Sequence, residues 1–467
     1  MILGFSEGFH DAAIAIVDYY GNIIHASHSE RSSGIKHDKL VSDWQKDYVR
    51  KFNFDKIAFY EKPLLKKTRQ LYAGQYNTVF SERKLSFKPT HYYNHHLSHA
   101  AAAFQTSPFY ESSCVVIDSI GEWDTISVWY AFYDNNVKAK YQKLHSIKYP
   151  RSVGLWYSAL TKYVELKPLD EEYIFMGMAA YGKPIPELQN KLMDLYCNSN
   201  LHRGIPRREL NEYEYVDIAY NAQIVVEELI QSVFNVAMQH SNNVCYGGGV
   251  ALNCVANSKL YLNNNLWIMP NPGDAGAALG AAALAYGGKL KWVSPYLGYE
   301  IDRKIDVSEV VDYLLKNQIC GIANGKSEFG PRALGNRSLI ADPRGEGVKD
   351  KVNTIKRRQL FRPFAPAVLE EHVHANFSGS VTKYMQSTSK CLRPDLYPAI
   401  IHKDGSSRVQ VVGKEDPTVL RSILECWYER TGCPILLNTS LNIRGKPMVD
   451  TWEDALDFQK EYSVKVF

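Results

Sequence analysis

The stretch ILGFSEGFHDAAIAIVDYYGNIIHAS, residues 2–27, decides the fold. Its apolar runs are short and bounded by glycine and polar clusters. It therefore reads as strand (Ile2 to Phe5), glycine-containing loop (6–11), strand (Ala12 to Asp18), a Tyr20-Gly21-Asn22 turn and a third strand (Ile23 to Ser29). The pattern returns 113 residues further on: Val115 to Ile117 lead into DSIGEWD (118–124), Ile126 to Tyr133 form a second strand, Asp134-Asn135-Asn136 turns, and Val137 to Gln142 follow. At this offset Gly8 falls on Gly121, Asp11 on Asp124 and Asn22 on Asn135.

Both copies place a polar, glycine-bearing loop between strands one and two. That arrangement cradles phosphates in the duplicated, ribonuclease-H-like ATPase fold shared by actin, sugar kinases and heat-shock chaperones, so an α/β chain on that plan is expected. Later segments suit its second half. Asn243 to Tyr246 read as a strand, Gly247-Gly248-Gly249 as a loop needing open backbone, and Val250 to Leu262 as a helix. Leu266 to Met269 form a further strand ending in PNPGDAG (270–276), with Asp274 just ahead of the alanine-rich helix 275–286. Asp274 is either an N-cap or aimed at a nucleotide or metal. Gly287-Gly288 and the residues to Pro295 read as a linker, which divides the chain into 1–292 and a smaller α/β domain, 293–467.

With 467 residues, 45% of them hydrophobic and 22% charged, the chain has room for two or three globular domains, and disorder, collagen and coiled coil are excluded. The longest nearly uncharged small-apolar stretch, Ala275 to Tyr286, is too short to span a bilayer, and a cytoplasmic location is expected. Eight cysteines without a C-x-x-C pair suggest reduced core thiols. The net charge of +4 conceals an asymmetry: Lys326 to Arg362 hold ten basic and four acidic side chains, a net of +6, leaving −2 elsewhere. Glycine and proline at 330, 331, 335 and 343 put Arg332, Arg337 and Arg344 on turns, where guanidinium forks and free amides can meet phosphate oxygens.

Asn94-His95-His96-Leu97-Ser98-His99 precedes the helix-forming AAAAF, so His95 and His99 lie one turn apart on one face and can chelate one divalent ion. Asp118, at a strand end in the second repeat, and Asp274 are the natural carboxylate partners in this fold. Such a mixed N and O set suits Fe, Mn or Zn.

Three stretches then carry a resemblance: GKSEFGPRALGNRSLIADPR (325–344), FRPFAPAVL (361–369) and TGCPILLNTSLN (431–442). With HDAA (10–13), KHD (36–38), HHLSHAAAAF (95–104), FMGMAAYG (175–182), GGGVALN (247–253) and GDAGAALGAA (273–282), the chain resembles, nearly end to end, the ATP-dependent O-carbamoyltransferases of the nodulation-factor and antibiotic-tailoring type. The resemblance implies two steps. A C-terminal domain similar to threonylcarbamoyl-adenylate synthases would convert carbamoyl phosphate and ATP, the latter with Mg(II), into carbamoyl adenylate. An N-terminal domain similar to tRNA threonylcarbamoyl transferases would pass the carbamoyl group to an acceptor hydroxyl beside a divalent metal, Fe(II) in the family, whose ligands match His95, His99, Asp118 and Asp274. A homodimer is admitted, and no membrane partner is expected.

Under that resemblance the first site needs dense fixed cation, offered by Arg332, Arg337 and Arg362 with Lys326 and Lys356, while Asn438, Thr439 and Ser440 supply neutral hydrogen bonds. His10 is the candidate for taking the acceptor's proton, with Asp11 beside it, and Gly247, Gly248, Gly249 and Asn253 are expected at the adenosine. Residues 61–90 and 187–215 are expected to shape the acceptor pocket as loops. Two positions depart from the family: Asn94 replaces a frequent Asp, which would weaken orientation of a metal-ligating histidine, and Lys446 replaces a Glu. Rival readings are a non-catalytic ATP-binding module, which leaves the basic motifs unexplained, and carbamoylation of a hydroxymethylated base in a nucleotide or DNA. No second basic stripe supports a long duplex footprint.

Overall fold

The two hairpins nucleate two sheets with one strand order. In the computed structural model, which describes residues 1–79, 85–262, 264–345 and 347–467, the first sheet is built from β1 (Ile2–Ser6), β2 (Ala13–Val17), β3 (Ile23–His28), β4 (Lys56–Phe59) and β5 (His91–Tyr92). The second comprises β6 (Glu111–Ile117), β7 (Asp124–Tyr133), β8 (Ala139–Lys148), β9 (Asn243–Gly247) and β10 (Asn265–Ile268). Their orders are β3-β2-β1-β4-β5 and β8-β7-β6-β9-β10, each an antiparallel hairpin continued by parallel strands. Each sheet is followed by a helix, His95–Thr106 after β5 and Asp274–Tyr286 after β10. This is the duplicated ribonuclease-H-like ATPase plan.

The repeat is not kept at one offset. Ser6 pairs with Ala13 and Ile117 with Ile126, so the loop between the first two strands is longer in the second copy, and Glu7 rather than Ser6 corresponds to Asp118. The two repeat-related helices pack at backbone contact. A Cβ on Gly280 would lie 1.8 Å from the Ser98 carbonyl oxygen, so only glycine permits this crossing. The expected helix 250–262 is interrupted: a short 3-10 turn (Gly249–Leu252) ends at Asn253, whose side chain caps a new helix, Cys254–Tyr261.

By contacts the chain divides into Met1–Ala26 with Lys39–Val293, and Ser27–Asp38 with Ser294–Phe467. The second unit therefore recruits twelve residues from far upstream. Its strands are β11 (Tyr296–Ile301), β12 (Ile319–Ala323), β13 (Gly325–Glu328), β14 (Arg337–Ala341), β15 (Ala365–Leu369), β16 (Phe377–Ser378), β17 (Ser389–Cys391), β18 (Ser406–Ser407), β19 (Gln410–Val412) and β20 (Ile435–Ser440). The main sheet runs β12-β14-β20-β15-β19 around a core that includes Leu339, Val368, Trp427 and Leu436. The stretches expected to shape the acceptor pocket as loops contain helices Pro63–Tyr72 and Pro186–Asn198, and residues 80–84 lie outside the described residues. No helix among the described residues is long and apolar enough to cross a membrane.

Candidate metal centre and anion site

Four side chains from repeat-related positions converge in the first unit. His95 opens its helix and His99 follows one turn later; Asp118 leaves the end of β6; Asp274 is the first residue of the alanine-rich helix. Gly273, not Asp274, occupies the N-cap, and no side chain caps that helix, so the carboxylate of Asp274 is left for the cluster. His95 Nε2 lies 3.1 Å from His99 Nε2, 2.9 Å from Asp118 Oδ2 and 3.5 Å from Asp274 Oδ1. His99 Nε2 stands 3.5 Å from Asp118 Oδ2 and 3.4 Å from Asp274 Oδ1. Donors bound at about 2.0–2.2 Å to one ion stand about 3.0–3.5 Å apart, so this buried set fits a divalent metal without rearrangement.

The cluster is held from outside. Asp118 Oδ1 accepts from the Ser119 amide (2.8 Å) and the Gly249 amide (3.2 Å), which turns Oδ2 toward the histidines. Gly248 has φ +89°, and a Cβ there would meet the Ile117 oxygen at 2.2 Å, so the glycine run lets this loop lie against the end of β6. His95 Nδ1 is buried without a hydrogen-bond partner, 4.0 Å from Glu61 Oε2, one small shift from the carboxylate support that orients a metal-bound imidazole. His96 faces away: its Nδ1 meets Ser127 Oγ at 2.8 Å, and burial holds its ring well below the usual range and therefore neutral.

Burial would lower the His99 ring, but Asp118 and Asp274 outweigh it and raise it to about 9. The same histidines hold Asp118 well below the usual carboxylate range despite its burial. His10, in the β1–β2 loop, has Nδ1 2.9 Å from Asp11 Oδ2 and Nε2 3.9 Å from Asp274 Oδ2. Burial opposes protonation there too, yet Asp274 and Asp11 bring His10 to about 9. Asp11 reaches His10 from a backbone with φ 52°.

Sequence reasoning missed Glu122, which is almost fully buried. Its Oε1 accepts from the His95 amide (3.0 Å) and the Lys62 amide (2.8 Å), and its Oε2 from Asn94 Nδ2 (2.8 Å). Asn94 also accepts from the Leu97 amide as N-cap. The departure at Asn94 therefore supports the histidine helix instead of weakening it, because an aspartate there would set a second carboxylate against Glu122. The signal was an acid inside the second repeat's loop, but a sequence gives no way to pair it with residue 94.

In the second unit the expected cations part company. Arg337 is fully buried and donates to five carbonyl oxygens, those of Asp450 (3.0 Å), Asn324 (3.0 Å), Gly325 (3.2 Å), Asn336 (2.8 Å) and Tyr299 (2.9 Å). Its guanidinium has no fork left for phosphate, so Arg337 is corrected from an anion ligand to a framework residue. Lys356 is buried and donates to Ser440 Oγ (3.2 Å), Asn442 O (2.9 Å) and Asn442 Oδ1 (2.9 Å), all neutral oxygens, and also to the Ser440 carbonyl. Burial first, then Arg358 and Arg362, push its ammonium well below the usual range. No carboxylate pairs with it among the described residues, the electrostatic condition of a site awaiting an anion.

Arg332, Lys326 and Arg362 are partly exposed around this region of sequence. Asn438 donates to Gln410 Oε1 (2.6 Å) and Ala333 O (3.2 Å), leaving its buried Oδ1 unpartnered, while Thr439 sits on β20 opposite Leu339. Asn253 is corrected as well: its Oδ1 caps the following helix at Ala256 and its amide exchanges bonds with Gln223, so its side chain serves the scaffold. Lys446 lies 3.8 Å from Glu461, an exposed pair of little weight.

The chain belongs to the carbamoyltransferase family: the model of the carbamoyltransferase N-terminus matches residues 59–205 and 188–283, and that of the carbamoyltransferase C-terminus matches residues 311–467. It is a carbamoyltransferase enzyme. Relatives include an uncharacterized protein of Synechocystis sp., 32% identical over 97% of this chain and 93% of its own. Nodulation protein NolNO of Sinorhizobium fredii is 30% identical over 96% of this chain and 76% of its own. Among solved structures, component A of the (R)-2-hydroxyglutaryl-CoA dehydratase of Acidaminococcus fermentans is 14% identical, covering 61% of this chain and 97% of that one, with a TM-score of 0.37.

Proposed function

We propose that the enzyme works in two halves. The second (293–467) makes carbamoyl adenylate from carbamoyl phosphate and ATP, releasing phosphate and pyrophosphate with uptake of one water. The first (1–292) passes the carbamoyl group to a hydroxyl of a small-molecule acceptor. The observation that carries this reading is the buried cluster of His95, His99, Asp118 and Asp274 with His10 Nε2 3.9 Å from Asp274.

A carbamoyl carbon is a weak electrophile because nitrogen donates into it, so the reaction needs a good leaving group, which AMP provides. The acceptor oxygen attacks that carbon, the bond from carbon to the phosphate oxygen breaks, and AMP departs. His10 Nε2 takes the hydroxyl proton, while Asp11 holds Nδ1 and fixes the tautomer. A divalent ion on the four ligands, Fe(II) by family resemblance, would supply Lewis-acid stabilisation of the departing phosphate, worth several kcal/mol. With Asp118 and Asp274 engaged by a cation, their pull on the His10 proton weakens, and Nε2 becomes able to accept. In the second half Arg332, Arg362, Lys326 and Lys356 neutralise the two polyanions, and Ser440 orients Lys356.

The test is incubation with ATP, carbamoyl-labelled carbamoyl phosphate and a panel of sugars, nucleotides and hydroxymethylated DNA. Label should enter a small-molecule hydroxyl with one AMP and one pyrophosphate per transfer. Label transferred without AMP formation would sink the adenylate route, and label found only in DNA would move the acceptor to nucleic acid.

A further inference from the structure

The second unit contains a buried cation that its own stretch of sequence does not encode. Arg31 lies on a short helix (Ser29–Ser33) within the upstream segment 27–38 and is only 5% exposed. Its Nη2 donates to the carbonyls of Glu328 (3.2 Å) and Gly330 (3.1 Å), and its Nη1 is buried without a hydrogen-bond partner. Two residues before the segment's arginine-bearing helix turn, His28 packs edge-on against the fully buried Phe329 ring at 5.5 Å.

These contacts fall on the start of the loop that carries Arg332. The other end of that loop is tied from within, because Glu328 Oε1 accepts from the amides of Leu334 (2.8 Å), Asn336 (3.0 Å) and Arg337 (3.3 Å). Pro331 restricts the backbone between Gly330 and Arg332. Where the Gly330 carbonyl is held therefore decides where the Arg332 guanidinium can reach. Burying a guanidinium against two carbonyls, with one nitrogen unpaired, is a costly way merely to dock a surface segment.

We propose that Arg31 is a positioning residue of the polyanion site: it fixes the Glu328–Gly330 backbone and, through it, Arg332. The proposal rests on the reading that this loop binds the phosphates. It also means that the activation half needs residues from the transfer half's stretch of sequence.

A double-mutant cycle on the full-length enzyme tests it, with pyrophosphate as a non-reacting probe and affinity read by calorimetry. Arg31→Ala should weaken pyrophosphate by about tenfold, and Arg31→Ala/Arg332→Ala should bind no more weakly than Arg332→Ala alone, since Arg31 acts through Arg332. Arg31→Lys, whose ammonium can still reach a carbonyl, should recover most of the affinity, and it carries the cycle if the alanine variant does not fold. Wild-type affinity in Arg31→Ala, losses that multiply in the double variant, or no pyrophosphate binding by the wild type would each overturn the proposal. Pyrophosphate binding without any carbamoyl-phosphate-dependent pyrophosphate release would remove the adenylate reading and leave the Arg31 cycle to stand or fall on its own.

Discussion

Asn94 Nδ2 donates to Glu122 Oε2 at 2.8 Å, and the other oxygen of that carboxylate accepts from the amide of His95, the residue that begins both the helix and the ligand set. A single buried acid thus joins the N-cap, the first turn and the proposed metal centre. Anionic charge at a helix N-terminus is favourable, and here it also fixes the direction in which the helix leaves β5.

Asn94→Asp should therefore destabilise the protein by about 1–3 kcal/mol, since a donor becomes a like charge beside a buried carboxylate. Urea unfolding would show the loss, and Asn94→Asp/Glu122→Gln should restore most of it. An Asn94→Asp variant as stable as the wild type would refute the role given to this pair.

Acidity should govern metal loading. His10 and His99 are both raised from 6.5 to about 9 in the absence of metal, so the stabilisation they give is fully present below about 6.5 and lost as pH rises through about 9. Binding needs the neutral His99 ring, so metal affinity should increase across that window and proton release should accompany binding at pH 7. Tm of chelator-treated wild type, compared with His99→Ala, should show an advantage that shrinks from pH 6.5 to 9. Metal analysis should find His99→Ala poorly loaded throughout. An advantage that grows over this range contradicts the assigned charges.

The two halves should separate by mutation. His10→Ala should leave carbamoyl-phosphate-dependent pyrophosphate release within a few-fold of wild type and lower transfer by about 100-fold or more. Arg332→Ala should do the reverse, with preformed carbamoyl adenylate still a usable donor. Loss of both activities in both variants would argue against divided labour.

Arg337→Ala should act on folding. Removing it leaves five buried carbonyls short of a donor, for a loss of about 3–5 kcal/mol visible as a lower urea midpoint. Arg337→Lys should not rescue it, because one ammonium cannot span that fan of acceptors. A stable Arg337→Ala protein with a raised KM for carbamoyl phosphate would return this residue to the anion site.

Much of this was legible along the chain. The hairpin repeat, the i, i+4 histidines and the glycine loops are local patterns, and local patterns are what backbone geometry and side-chain period imprint on sequence. The errors have a common cause. Arg337 was counted among the phosphate cations, and Asn253 among the nucleotide contacts, because residue type shows what a side chain can bind and not what already surrounds it. The fixed offset of the repeat failed for a related reason: paired strands keep their register, while the loops between them change length freely.

Glu122 and Arg31 mark the boundary most clearly. By itself the sequence determined the duplicated α/β plan, the ligand types of the metal centre and the basic segment, since each needs only residue identity at short spacing. Only the tertiary structure decided which carboxylate steadies the histidine helix, which arginine is framework, and that Arg31 grips a loop 299 residues away at Gly330. Such pairings are set by how layers pack, and packing brings together residues whose separation along the chain leaves no trace in either neighbourhood.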